Sequence, residues 1–362
     1  MIRTKTWRSV RRACVSYARR ALVFGLPAVW LVAATVWELT CPFASHDAMA
    51  PRFVTCAAFI ALVVYLLTSV RLGLVRELRR AREVARAAQQ VLLRPLPPRL
   101  DGLALAAGQL SASRGATVGG DLYEAVATVH GVRVVIGDVR GHGLAAIGAV
   151  AALLGSFRES AHDEAELAGV MRRLERALQR HLRDRARSEH PSVSGADPDN
   201  PVAEEFVTVL LLEIHEDGEV LALNCGHPWP YRLRRTAEQL AGGDPMPPLG
   251  MFPLPADLSA HRCTRLLPGD ALVLHTDGAE DARNASGEFF CLQRALTEAA
   301  ALGSPVSPAV VVQRVHTALL RHTGGRLVDD VALLVVRNDR RRMPAQPGDQ
   351  GLRRSRAESS NR

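Results

Sequence analysis

Residues 132–146 read VRVVIGDVRGHGLAA. A β-branched apolar run ends at Gly137-Asp138, glycine returns at 141 and 143, and small residues then open a helical pattern. This is the signature of a strand that stops at a carboxylate and turns at once into a helix. A carboxylate at the end of a buried strand is costly unless a positive group neutralises it. The fold must therefore bring a cation to Asp138, from the chain or from solution.

Three other stretches repeat the pattern. VGGDLYEA (118–125) sets Asp121 after two glycines at a strand start, and LVLHTDGAED (272–281) sets Asp277 before a glycine at a strand end. LVDDVALLVV (327–336) sets Asp329 and Asp330 at the head of a last apolar strand. No Lys or Arg within these motifs matches the acids one for one. One Asp-Gly after a strand is an ordinary turn. Four such positions at strand termini suit a hard divalent cation with oxygen ligands. Two such ions roughly 3.5–4 Å apart can hold a water and clamp a phosphoryl group for in-line displacement.

Strands are expected at 103–110, 121–129, 132–138, 206–214, 219–225, 271–276 and 330–336, and helices at 144–160, 164–185, 290–302 and 307–321. The strands follow one another without βαβ alternation, which predicts an α+β fold with antiparallel sheets and helices outside. RSEHPSVSGADPDNPVAE (187–204) reads as a surface loop.

The 362 residues carry a net charge of +8, unevenly spread. Residues 1–20 hold seven basic groups and no acid, 71–94 seven basic and two acidic, and 340–362 seven basic and two acidic; residues 95–339 sum to −8. A nucleic-acid binder would carry its basic patch on the folded body. Basic arms beside apolar segments point to a membrane surface instead, with no nucleic-acid partner. ALVFGLPAVWLVAATVW (21–37) and FVTCAAFIALVVYLLTSV (53–70) are seventeen and eighteen residues without a charge. Each is near the lower limit for spanning ~30 Å of hydrocarbon. Arginine-rich outer flanks place both termini in the cytoplasm. Six cysteines, at 14, 41, 56, 225, 263 and 291, form no CxxC pair, which argues against a zinc ribbon or a disulfide scaffold.

The expected organisation is a basic N-terminus (1–20), a transmembrane hairpin (21–70, with spans near 21–38 and 53–70), a juxtamembrane linker helix (71–100), a catalytic domain (101–338) and a disordered basic tail (339–362). Localisation to the cell membrane follows. Helical apolar spacing over 71–94 also admits a homodimer.

The order of the motifs resembles the SpoIIE/RsbU-type serine/threonine phosphatases, the bacterial branch of the metal-dependent PP2C (PPM) superfamily. AREVARAAQQVLLRPLPP (81–98) is similar to the family's opening helix and proline turn, VGGDLYEA to GGDxYD, and IGDVRGHGLAA to GDVxGKGxxAA. NCGHPWPYRLR (224–234) resembles NAGHPPPxLxR, PPLGM (247–251) resembles PPLGL, LLPGDALVLHTDGAEDARNASGEFF (266–290) resembles LxPGDxLxLYTDGxxEAxN, and DDVALLVV (329–336) resembles DDxTLLVV. The resemblance covers about two-thirds of the chain.

It implies a PP2C-like αββα sandwich and two divalent cations, Mn²⁺ or Mg²⁺. Asp138 would bridge them and the Val139 carbonyl would help hold one. Asp121 belongs to one ion; Asp277 and Asp329 belong to the other, with Asp330 beside it. A hydroxide between the ions would attack phosphorus directly. The implied substrate is a phosphorylated regulatory protein like an STAS-type anti-anti-sigma factor. Ala332 replaces the family's Thr, and His142 its Lys. His142 could serve as general acid or merely pack in the loop. His227 could contact phosphate or cap a turn. A membrane-tethered phosphoprotein-binding scaffold without catalysis is the other reading.

Overall fold

A computed structural model of the chain describes residues 57–58, 60–77, 92–111, 119–141, 144–189, 205–301, 303 and 305–340. Residues 1–81 and 82–362 form separate compact units.

In the second unit, apolar alternation sorts eleven strands into two antiparallel sheets. The strands are β1 (Arg99–Leu100), β2 (Leu103–Leu110), β3 (Asp121–Thr128), β4 (Gly131–Val139), β5 (Val207–Ile214), β6 (Glu219–Cys225), β7 (Tyr231–Leu233), β8 (Ala237–Gln239), β9 (His261–Arg265), β10 (Ala271–His275) and β11 (Val331–Asn338). One sheet has the order β1-β2-β11-β10-β7-β8, the other β3-β4-β5-β6-β9. Helices α1 (Leu144–Asp163) and α2 (Leu167–Glu189) cover the second sheet; α3 (Leu292–Ala300) and α4 (Pro308–His322) cover the first.

Side chains alternate along each strand, so both faces of each sheet are used. On β4, Val132, Val134 and Ile136 join Leu210, Leu212, Leu274 and Leu334 in the core between the sheets. Val135 and Val139 face the other way, against Leu153, Phe157 and Leu174 of α1 and α2. A matching layer of Val273, Leu333, Val335, Leu296 and Val315 lies under α3 and α4. The four layers are thus helix, sheet, sheet, helix, as the family resemblance implies.

Arg133 is the largest fully buried side chain, at 0% exposure, on the helix-facing side of β4. Its Nε donates to Glu213 Oε2 (2.7 Å), while its Nη atoms donate to the carbonyls of Ala161 (2.9 Å) and Ala165 (2.8 Å) just at and beyond the end of α1. One guanidinium thus satisfies a buried carboxylate and the orphan carbonyls of a helix C-terminus.

Some boundaries move from those expected. Leu93 is packed into the core and β1 pairs with β2, so the domain starts before residue 101. It also runs past 338: Arg340 Nη2 pairs with Asp101 at 2.7 Å and its Nε donates to the Asp101 carbonyl. Edge strands β1, β8 and β9, and the short inner strand β7, were not expected. Most of the 187–204 loop and the 341–362 tail lie outside the described residues.

In the first unit a helix covers 57–77. Among the described residues no helix is long and apolar enough to cross a membrane. The described apolar residues of this helix end at Val70, and Arg71, Arg76 and Glu77 follow. The expected span at 21–38 lies outside the described residues, as do 78–91 of the linker.

Replacing Arg133 by Ala should destabilise the domain by about 3–5 kcal/mol, because buried Glu213 keeps only His215 Nε2 (2.7 Å) as a partner and the α1 end loses its donors. Urea unfolding followed by circular dichroism measures this, and Arg133→Met with Glu213→Leu should recover most of the loss.

Candidate metal centre

Strand register creates the first acid pair. β3 and β4 are antiparallel, with Asp121 directly opposite Asp138. Both share the parity of the inward-facing residues, so both carboxylates enter the space between the sheets. The facing sheet supplies the rest. β10 ends at His275, and Asp277 opens a short 3₁₀ turn, Asp277–Ala279. Asp329 and Asp330 immediately precede β11, which pairs with β10. All five predicted aspartates thus lie at one end of the sandwich. Asp121 (1% exposed) and Asp330 (5%) form its floor, Asp138 is half-buried, and Asp277 and Asp329 are exposed at its mouth.

Three glycines make room for this gathering. A Cβ on Gly119 would lie 1.4 Å from Asp330 Oδ2, and one on Gly278 would lie 2.1 Å from the Asp330 carbonyl. A Cβ on Gly120 would lie 2.3 Å from the Val139 carbonyl oxygen and 3.0 Å from Asp138 Oδ1. The Val139 carbonyl, a predicted ligand, is therefore beside Asp138 and the glycine pair. Gly141 turns the chain at φ +116°, a conformation glycine adopts without strain. Gly143 and His142 lie outside the described residues.

The carboxylates raise one another's pKa. Burial pushes Asp121 well above its ordinary value, and the charges of Asp138, Asp330 and Asp329 push it further. Asp138 rises to about 7, first by burial and then through Asp277, Asp329 and Asp330. Asp277 rises through burial and Asp329. No described Arg or His forms an ion pair with Asp121, Asp138 or Asp277, and Asp121 Oδ2 is buried without a hydrogen-bond partner. Acceptor-only groups, raised by burial and then by their neighbours' charge and lacking a protein cation, fit an oxygen-ligated divalent ion. Among the described residues no three Asp, Glu, His or Cys side chains close tightly enough to enclose an ion as they stand. Strand register, not a finished shell, gathers these carboxylates.

Thr276 was not singled out from sequence. Its Oγ1 accepts a hydrogen bond from the Ala332 N–H (2.9 Å), and its hydroxyl also reaches Asp121. It therefore joins both sheets and sets a hydroxyl beside Ala332, where the family pattern has Thr. Glu280, also unforeseen, closes the turn that carries Asp277. Its N–H donates to the Asp277 carbonyl (2.8 Å), and its carboxylate accepts from Tyr231 Oη (2.9 Å) and lies 3.3 Å from His275 Nε2. The signal available for both was their place within LVLHTDGAED.

His227 offers a phosphate almost no surface, at 3% exposure. Its Nδ1 meets Thr208 Oγ1 at 3.0 Å, and its backbone N–H and carbonyl are both bound by the Asn224 amide at 2.8 Å. Burial and the neighbouring His275 hold its pKa down at about 3, so the ring is neutral. It packs against Thr208, the residue opposite Asp138 on β5. The Asn224 side chain caps the turn, and the His227 ring ties it to β5 through Thr208.

Two antiparallel sheets between helix pairs, with carboxylates gathered between the sheets, define a PP2C-type phosphatase domain. The SiaA-PP2C domain of Pseudomonas aeruginosa shares the fold at TM-score 0.52 and 15% identity, over 74% of this chain and 98% of that one. The family model for Stage II sporulation protein E (SpoIIE) matches residues 128–339. The chain belongs to that family, the SpoIIE/RsbU-type branch of the PPM protein serine/threonine phosphatases. Weaker structural likenesses include the RsbU and RsbW domains of Rv1364c from Mycobacterium tuberculosis (TM-score 0.47, 22% identity, 71% and 69% of the two chains). The catalytic domain of the phosphatase PstP in complex with two manganese ions gives 0.43 and 16%, over 65% and 97%. No curated protein sequence matches.

Gly119→Ala should lower Mn²⁺ affinity at least about ten-fold, as calorimetry would read, because its methyl must displace a floor carboxylate. A second prediction concerns pH. A carboxylate raised by folding contributes stability at low pH that is lost as pH rises through its folded value. The melting temperature of chelator-treated protein should therefore fall between about pH 4 and 7 as Asp138 ionises, and Asp138→Asn should flatten that fall. Mn²⁺ should stabilise more at pH 8 than at pH 5.

Proposed function

We propose that the chain hydrolyses phosphoserine or phosphothreonine on a regulatory protein, with two divalent cations, Mn²⁺ or Mg²⁺, at the five-aspartate cluster. The observation that carries this reading is the register pair Asp121–Asp138 facing Asp277, Asp329 and Asp330 across the inter-sheet space, in a chain of the SpoIIE family. When bound, the cations supply Lewis acidity toward the phosphoryl oxygens and the attacking water.

The chain's own groups do the positioning. Asp121 and Asp138 hold the floor on strands whose register a buried apolar face fixes. Asp138, with the Val139 carbonyl and Asp121, would hold one ion, and Asp138 with Asp277 and Asp329, beside Asp330, would hold the other. Thr276 keeps the Asp121 carboxyl oriented from the opposite sheet. Glu280 keeps the Asp277 turn closed. His142, three residues beyond the end of β4 in the sequence, is the candidate to protonate the leaving seryl oxygen.

The substrate class inherited from the family is an STAS-type anti-anti-sigma factor, whose dephosphorylation frees it for an anti-sigma partner. A membrane location agrees with the helix over 57–77, where Ile60, Val64, Tyr65, Leu67, Leu72 and Leu74 are exposed. Such a row of apolar side chains suits lipid or a second copy of the chain, and the linker over 71–94 is the proposed dimer contact.

The test is phosphate release by the full chain from p-nitrophenyl phosphate and from a phosphoserine protein, with Mn²⁺, Mg²⁺ or chelator. Asp138→Asn and Asp277→Asn should each lose about 100-fold or more, as should chelation. No turnover together with no calorimetric Mn²⁺ binding would discard this reading in favour of a phosphoprotein-binding scaffold.

A further inference from the structure

Helix α2 carries a charge opposite to that of the domain around it. Residues 95–339 sum to −8, yet Leu167–Glu189 holds seven arginines against three acids, a net +4. Arg173, Arg176, Arg180, Arg183 and Arg187 are all exposed. Their spacing of three, four, three and four residues places them within an arc of about 80°, in a row ~21 Å long. Met171, Leu174, Ala177 and Leu178 on the inner side are buried.

Arg185, off this row, pairs with Glu205, and Arg172 donates to the Ala256 carbonyl; the exposed row is less neutralised. Arg173 pairs with Glu164 at 2.7 Å and Arg187 lies 3.9 Å from Asp184. Arg183 donates only to a backbone carbonyl, that of Gln179 (3.1 Å). Arg176 and Arg180 have no carboxylate partner among the described residues. Glu159, Asp163 and Asp184 line the groove between α1 and α2, on the flank nearer Arg173 and Arg180. The positive field is therefore strongest along the outer edge, Arg176–Arg183–Arg187.

We propose that this face of α2 docks on anionic phospholipid headgroups. A protein partner would need an apolar or aromatic anchor in the contact, and no large apolar side chain is exposed on α1 or α2. Planar guanidiniums in a row match phosphates lying in a surface. The same chain carries an exposed apolar helix over 57–77 and arginine-rich segments on both sides of its apolar stretches, which favour lipid over nucleic acid as the source of phosphate. The acidic remainder of the domain is repelled by an anionic surface, so the dock has one orientation. The stripe lies on the outer face of the helix layer, whereas the aspartates open at the strand ends between the sheets. Docking leaves their mouth clear.

The proposal does not depend on the phosphatase reading, and its test separates it from the anchor reading. The full chain is floated with phosphatidylcholine vesicles, and with vesicles containing about 30% phosphatidylglycerol, at low and high salt. Arg176→Gln/Arg180→Gln/Arg183→Gln should cut the phosphatidylglycerol-dependent gain about ten-fold or more. Melting temperature and flotation with phosphatidylcholine alone should stay as in the wild type. An unchanged gain overturns the proposal. Equal affinity of the wild type for a random DNA duplex, lost in the same variant, overturns the lipid assignment. Failure to float with phosphatidylcholine alone removes the anchor, while the phosphatidylglycerol comparison still decides the stripe.

Discussion

Everything at this site depends on one unfavourable contact, the two like charges of Asp121 and Asp138 held opposite each other across β3 and β4. Directly opposed like charges destabilise a strand pair. The pairing survives because register is fixed elsewhere. Val132, Val134 and Ile136 must all face the inter-sheet core, and a slip of one residue would expose them. The apolar core thus holds in place a carboxylate pair that would otherwise separate. The facing sheet imposes the same constraint from the other side, where the buried run of β11 fixes Asp330.

The glycines show how closely the two sheets must approach for this to work. Gly119 and Gly120 on one side and Gly278 on the other occupy places where any Cβ would strike Asp330 or Val139. Backbone takes the space that side chains would need, and the carboxylates fill it. Burial, and after it the charges of Asp277, Asp329 and Asp330, raise the pKa of Asp138 to about 7. A divalent ion is the simplest agent that turns this repulsion into attraction.

Much of this was legible because periodicity and punctuation coincide. The strands at 103–110 and 219–225 fall where alternation places them, and Asp121, Asp138, Asp277, Asp329 and Asp330 end up at one edge of the sandwich. The missed elements carry little local signal. β7 and β8 have three residues each, and β9 (HRCTR) is a polar edge strand that forms because β6 offers it free hydrogen bonds. Arg133 was illegible for another reason. Within an apolar strand an arginine reads as an interruption, and only the three-dimensional end of α1 and Glu213 give it partners. Thr276 and Glu280 act through residues on other strands, so their roles needed the pairing of β10 with β7 and β11. His227 stood in a motif that admitted two roles, and its bond to Thr208 needed the neighbouring strand to be seen. The apolar stretch at 21–38 and His142 lie outside the described residues, so composition alone speaks for them.

Arginine meets opposite demands in this chain, and burial decides which applies. At 0% exposure Arg133 must find an acceptor for each donor, and it does so by stitching a strand, a carboxylate and a helix end together. Arg173, Arg176, Arg180, Arg183 and Arg187 of α2 stand in solvent, where the aqueous dielectric makes an exposed guanidinium inexpensive. They contribute little to folding, so packing does not dictate their number or spacing. A row at three- and four-residue intervals on a helix whose other face already satisfies the core is therefore a surface property. The inter-sheet face, where carboxylates meet, and the outer helix face, where guanidiniums line up, belong to different layers of the sandwich. One can be altered with little disturbance to the other, which lets a single small domain carry opposite charges for separate tasks.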